Sequence, residues 1–225
     1  MAFANNLVFV SLLLVVFLMT NIQPSLSQST QQLIEKICRS TEDYGFCRKT
    51  FEAHLKSPNA DIVAVTQITV EEATDHATKT HQFIRQTLEK TRDPALKNEL
   101  TECENAYREI AQSFASAAVA FFDKDYDSVE KDERPTTRLE ASCEQTLHSP
   151  PKKQRILDER NREMRILITM SLGSVQELLR PRHSAPAPLA VAPSRAPVDP
   201  LKDINRQMRI LVAMAVVTGH VHLGY

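Results

Sequence analysis

Residues 93–122 read DPALKNELTECENAYREIAQSFASAAVAFF. Leu96, Leu100, Cys103, Tyr107, Ile110, Phe114, Ala118 and Phe121 recur at steps of three or four. That spacing places them on one face of a helix, the buried seam of a bundle member. Pro94 suits the first helical turn, where its missing N–H costs nothing. The pattern breaks at FFDKDYDS, residues 121–128, a run of polar turn formers. A returning helix then runs towards Leu147, bent or restarted at Pro135.

Working outward, residues 60–91 form a long helical candidate. Ile62, Val65, Ile68, Ala73, Ala77, Ile84 and Leu88 fall mostly on one face, with Asp61 or Asn59 as the cap. Residues 30–56 read as two short helices around Cys38 and Cys47. SPPKK, residues 149–153, is a linker. Residues 155–180 supply the last helix, with Leu157, Met164, Leu167, Ile168, Leu172, Val175 and Leu179 inward. The expected fold is all-α: an up-and-down four-helix bundle preceded by an N-terminal helical hairpin, with two disulfides.

The two ends set the compartment. Residues 1–27 carry no charged side chain, and Leu7–Met19 is an apolar run broken by Gln23-Pro24-Ser25-Leu26-Ser27. This reads as a signal peptide cut after Ser27, leaving a mature chain from Gln28. The run is shorter than the ~20 residues a membrane-spanning helix needs, so no membrane anchor is expected in the mature chain. Export favours disulfides for the four cysteines, which allow three pairings. The midpoint of Cys103 and Cys143 falls inside the 121–128 break, as an antiparallel helical hairpin requires. That leaves Cys38 for Cys47.

The chain holds 27 basic and 28 acidic residues, 4 glycines and no tryptophan. A balanced charge argues against nucleic acid, and few glycines remain for phosphate-cradling loops. No GxSxG, HExxH, P-loop or dinucleotide fingerprint occurs. We expect no cofactor, no metal and no catalytic residues. His76 and His81 read as surface residues of a polar helix, and His220 and His222 as a solvated pair. Glu71 and Glu72 are adjacent and so face different directions, unlike an acid/base pair. The threonine-rich face of residues 66–91 suggests no chemistry.

With these features in place, the chain resembles the plant invertase/pectin methylesterase inhibitor family over about residues 30–180. The resemblance rests on LIEKICRSTEDYGFCRKTFEAHL, DPALKNELTECENAYREI, DKDYDSV, EASCEQTL and ERNREMRILITMSLGSVQELL. The order and spacing of Cys38, Cys47, Cys103 and Cys143 are its most specific part. It implies disulfides from first to second and third to fourth cysteine, as the hairpin argument holds. It also implies no catalysis: such proteins bind a carbohydrate-active enzyme and block its substrate cleft. The invertase branch carries a Pro-Lys-Phe motif after the second bundle helix. Here that stretch reads DKDYDSVEKDERP, so pectin methylesterase is favoured over acid invertase as partner. Tyr126 is the expected aromatic anchor, with Asp123, Lys124, Asp125, Asp127 and Arg134 as its polar surround. The expected protein is a monomer secreted to the apoplast, with the vacuole as the other destination. A non-inhibitory structural or signalling wall protein that kept the bundle is the alternative.

The chain continues past the family-like region. Residues 181–203 form a Pro/Ala-rich linker, with six prolines between 181 and 200. Its Ala-Pro repeats resemble plant glycosylation sites on hydroxyproline; an unmodified spacer is the favoured reading. Residues 204–225 then repeat the last helix: Asn161, Arg162, Met164, Arg165, Ile166, Leu167 and Met170 recur as Asn205, Arg206, Met208, Arg209, Ile210, Leu211 and Met214. A four-helix bundle has one place for this helix.

Overall fold

The computed structural model describes residues 27–148 and 155–180. The expected signal peptide, the 149–153 linker, the Pro-rich segment and the repeated helix lie outside the described residues. Within them every regular element is an α-helix. The hairpin consists of α1, Gln28–Cys38, and α2, Tyr44–His54. The bundle consists of α3, Ile62–Lys90; α4, Pro94–Phe122; a broken return made of α5, Tyr126–Glu133, and α6, Thr136–Leu147; and α7, Asp158–Leu179.

The boundaries follow from capping. Asp43, Asp61, Asp93 and Asp125 each accept a backbone N–H of the first turn that begins after them. Such a cap satisfies one of the donors that a helix start leaves orphaned. Pro94 occupies the first turn of α4, and Pro135 splits α5 from α6 as expected.

Side-chain contacts show the direction of each helix. His81 meets Glu104 and Thr74 reaches the Phe114 carbonyl, so α3 and α4 run antiparallel. Thr69 meets Ser174 and His76 meets the Arg160 carbonyl, which sets α7 antiparallel to α3. Glu133 meets Ser171 and Glu140 meets Arg165, which sets the α5–α6 arm antiparallel to α7. Neighbours in sequence are therefore neighbours in space, and α7 closes on α3: an up-and-down arrangement. Cys103–Cys143 ties α4 to α6, and Cys38–Cys47 ties α1 to α2. Both are the pairings expected from the sequence.

The α4 seam is the centre of the core. Leu100, Tyr107, Ile110 and Phe114 are buried against Ile84, Met164 and Met170. A second cluster gathers Val70, Ala117, Phe121, Val129 and Val175 at the α4–α5 end.

Two expectations need correction. His81 is not a surface residue: it is 5 % exposed and its Nε2 lies 2.7 Å from Glu104 Oε1. His76 is also turned inward, its Nε2 2.9 Å from the Arg160 carbonyl and its Nδ1 3.6 Å from Glu163. Burial pushes the His76 pKa down, its bond to the Arg160 carbonyl opposing the shift. The threonine-rich face of α3 has a structural role, because Thr66, Thr69, Thr74 and Thr80 are buried. Thr66 and Thr74 donate to the Ile62 and Val70 carbonyls one turn back, and Thr69 donates to Thr66. Hydroxyls satisfied within their own helix can enter a core at little cost.

Candidate functional site

The break after α4 builds a sharp corner. Asp123 caps α4, and Lys124 follows with φ 62°, in the left-handed region. The Lys124 N–H donates to the Phe121 carbonyl at 3.1 Å and the Asp125 N–H to the Ala120 carbonyl at 2.9 Å. This pair of bonds is the Schellman ending, whose left-handed position is normally a glycine. A lysine there carries strain of about 1 kcal/mol. Asp125 then opens α5: Ser128 donates its backbone N–H at 3.2 Å and its hydroxyl at 2.6 Å to the carboxylate. Those bonds hold the Asp125 pKa below the usual carboxylate range.

Phe121 and Phe122 diverge at this corner. A helix turns about 100° per residue, so adjacent side chains cannot share a face. Phe121 is 6 % exposed in the second cluster, whereas Phe122 is 37 % exposed, and Val119 is also exposed. The result is a small apolar patch beside Asp123 and Lys124, which are exposed as well. Phe122 and Val119 are the residues that sequence reasoning missed. The run Phe121-Phe122 at a helix end was the available signal, since one of the two must leave the core.

The expected binding residues do not all meet. Asp123, Lys124, Asp125 and Asp127 lie together and exposed at the corner. Tyr126 is only half-exposed: its ring packs 5.7 Å from the Phe121 ring, on the second cluster. Arg134 caps the far end of α5, about 12 Å along the helix axis. There it pairs with Glu130 at 2.8 Å.

A concavity of about 510 Å³ lies between the hairpin and the bundle. Phe46 of α2, His76 and Lys79 of α3, and Glu163 of α7 help to line it. Its charges are largely matched internally. His54 lies 3.1 Å from Glu72, Lys79 lies 2.6 Å from Asp75, and His76 contacts Glu163. Burial raises the Glu72 pKa, with His54 opposing. Nothing in this arrangement provides an activated nucleophile with its base.

The described residues thus form a disulfide-tied helical bundle with a polar, aromatic-edged corner. The chain belongs to the plant invertase/pectin methylesterase inhibitor family, whose model matches residues 32–174. It is similar to a pectinesterase inhibitor of Actinidia deliciosa, 25% identical over 152 residues, covering 67% of this chain and 82% of the relative. It is also similar to a cell wall / vacuolar inhibitor of fructosidase 2 from Arabidopsis thaliana. That match is 30% identical over 125 residues, covering 55% of this chain and 69% of the relative. The fold matches two crystal structures from Arabidopsis. One is a pectin methylesterase inhibitor, with TM-score 0.51 and 17% identity over 69% of this chain and 100% of that one. The other is a mutant form of a pectin methylesterase inhibitor, with TM-score 0.57 and 16% identity over 64% and 95%.

Proposed function

We propose that this protein is a secreted inhibitor that docks on a plant carbohydrate-active enzyme and covers its substrate cleft. Family membership over residues 32–174 is the observation that carries this reading. Pectin methylesterase is the favoured partner over acid invertase, because DKDYDSVEKDERP holds no Pro-Lys-Phe motif. The absence of charged side chains from residues 1–27 and the apolar run Leu7–Met19 support export to the wall space.

The α4–α5 corner is the proposed contact face. Phe122 takes the anchor role that the sequence suggested for Tyr126, since an aromatic side chain must be accessible to enter a partner's pocket. Asp123, Lys124, Asp125 and Asp127 supply the polar rim, and Tyr126 braces the corner from beneath. The test is to add the oxidised protein to pectin methylesterase and to acid invertase in parallel at apoplastic pH. Loss of pectin methylesterase activity alone agrees with the proposal. Loss of invertase activity alone reverses the choice of partner. Full activity of both, with the protein in molar excess, supports the non-inhibitory wall protein instead.

Two substitutions separate binding from folding. Phe122→Ala removes an exposed anchor, so it should weaken inhibition roughly tenfold or more and leave the melting temperature within a few degrees of the parent. Lys124→Gly relieves the left-handed strain, so it should raise stability by up to about 1 kcal/mol while reducing inhibition through loss of the rim cation. Thermal melting and an inhibition titration on the same samples check both.

A further inference from the structure

The cleft between the hairpin and the bundle takes no part in the α4–α5 corner. Its volume of about 510 Å³ falls within the ~300–1,000 Å³ of small-molecule sites. Helices α2, α3 and α7 wall it. Phe46 of α2 gives an aromatic side, half-buried and packed on the main core. Leu167 of α7 and Ile156 just ahead of α7 add apolar surface. The remaining lining is polar, and its charge and hydrogen-bonding pattern decide what can enter.

The charges exclude a strongly charged ligand. Each carboxylate that lines the cleft already has a cation or a histidine beside it. Glu72 lies 3.1 Å from His54, Asp75 2.6 Å from Lys79, Glu159 2.8 Å from Arg162 and Glu163 3.6 Å from His76. Among the cations, Arg155 is held by Asp158 at 2.9 Å, and the Arg160 guanidinium stacks 4.3 Å over the Phe83 ring. A charged group entering here has to displace one of these partners. An uncharged one displaces none.

His76 sets the hydrogen-bonding demand. Its Nε2 lies 2.9 Å from the Arg160 carbonyl, which can only accept, so Nε2 carries the proton. Burial favours the neutral ring, and in a neutral ring the other nitrogen is an acceptor. That Nδ1 faces Glu163 Oε2, a second acceptor, at 3.6 Å, beyond hydrogen-bond reach. Two acceptors so placed call for an O–H donor between them. Across the cleft the Thr50 hydroxyl donates to the Phe46 carbonyl at 3.0 Å, which leaves its oxygen to accept as well. Hydroxyl groups carried on an apolar ring, the pattern of a sugar, satisfy these acceptors and lay C–H surface on Phe46.

We propose that the cleft between α2, α3 and α7 is a binding site for an uncharged sugar of one or two units, separate from the face that meets the target enzyme. Free oligosaccharides and the chain ends of a neutral wall polysaccharide carry this same chemistry.

The test is an amide NMR titration of the full oxidised chain at apoplastic pH. The probes are galactobiose, cellobiose and maltose, with digalacturonate as an acidic sugar of similar size. At least one neutral disaccharide should give saturable shifts centred on Phe46, His76 and Glu163, with a Kd of about 10 mM or tighter. Digalacturonate should bind about tenfold more weakly or not at all. Glu163→Gln keeps the side-chain shape but offers its own N–H to His76 Nδ1, so it should weaken binding about tenfold. Its melting temperature should stay within a few degrees of the parent. Phe46→Ala should lose binding to a similar extent; should it also melt lower, E163Q still decides. The proposal is overturned if none of the three neutral sugars gives a saturable shift in the cleft. Tighter binding of digalacturonate, or unchanged affinity in E163Q, also overturns it. Two further outcomes agree with it and separate the sources. Retention on insoluble galactan, reversed by the disaccharide, marks the polysaccharide; binding of the disaccharide without retention marks a soluble sugar.

Discussion

Replacing Cys103 and Cys143 together by alanine should lower the unfolding free energy by about 4 kcal/mol. The two are 40 residues apart and tie the middle of α4 to the end of α6. A cross-link acts mainly by removing conformations from the unfolded chain, and the entropy removed grows with the loop closed. Alanine is the right replacement because both positions are buried; a serine pair would add buried hydroxyls. Against a typical net stability of ~5–15 kcal/mol, a loss of this size removes a large share. Urea denaturation of parent and variant, both with Cys38–Cys47 oxidised, reads the difference as a shift in midpoint. Cys38–Cys47 closes a loop of only 9 residues, so its removal should cost less, roughly 3 kcal/mol. A smaller shift for the Cys103–Cys143 pair than for the Cys38–Cys47 pair would contradict this ordering.

Glu133 should make the fold less stable as pH rises. It is 0 % exposed at the end of α5, and one carboxyl oxygen accepts the Ser171 hydroxyl at 2.7 Å. The other has no hydrogen-bond partner. Burial pushes its pKa up to about 8, with Asp132 and Glu130 adding to the rise and Ser171 opposing it. A pKa raised in the folded state means that the native protein holds the proton more tightly than the unfolded chain. Its contribution is therefore complete below about 4.5 and is lost progressively up to about pH 8. By pH 7 the loss is about 3 kcal/mol. Glu140, raised to about 7 by burial with Arg165 opposing, acts in the same direction. Carboxylates held low work the other way, among them Asp158 through its bonds to His148 and Arg155. The difference between parent and Glu133→Gln isolates the one group. Glutamine keeps the acceptor for Ser171 and cannot ionise. The variant should match the parent's stability most closely near pH 4 and exceed it increasingly towards pH 8. Parallel stability curves across that range would show that Glu133 titrates normally.

What could be read from the sequence was what depends on neighbours along the chain. The α4 seam emerged because its apolar residues keep helical period over seven turns. The cap at Asp61 emerged, beside Asn59 as the other candidate, because a cap acts within its own first turn; in the sequence Asp93 reads only as part of the stop after residue 91. The Cys103–Cys143 pairing emerged because a hairpin is symmetric about its break. Hidden were the contacts that cross between helices. His81 looks like a surface residue until Glu104 of α4 is brought to 2.7 Å. Nothing local shows that Asn161 accepts the Tyr107 hydroxyl from α4. Tyr126 looked like the free aromatic at the corner because nothing local says that Phe121 lies beneath it. The exposed member is Phe122, selected by the rotation of α4 rather than by composition.

The proposed contact face for the target enzyme is the α4–α5 corner. Hydrogen–deuterium exchange on the complex with the enzyme that the protein inhibits tests this most directly. Protection gained at the backbone amides of residues 122–128, with the hairpin cleft near Phe46 and His76 unchanged, is the predicted result. Protection confined to that cleft, or to any face away from the corner, would contradict it.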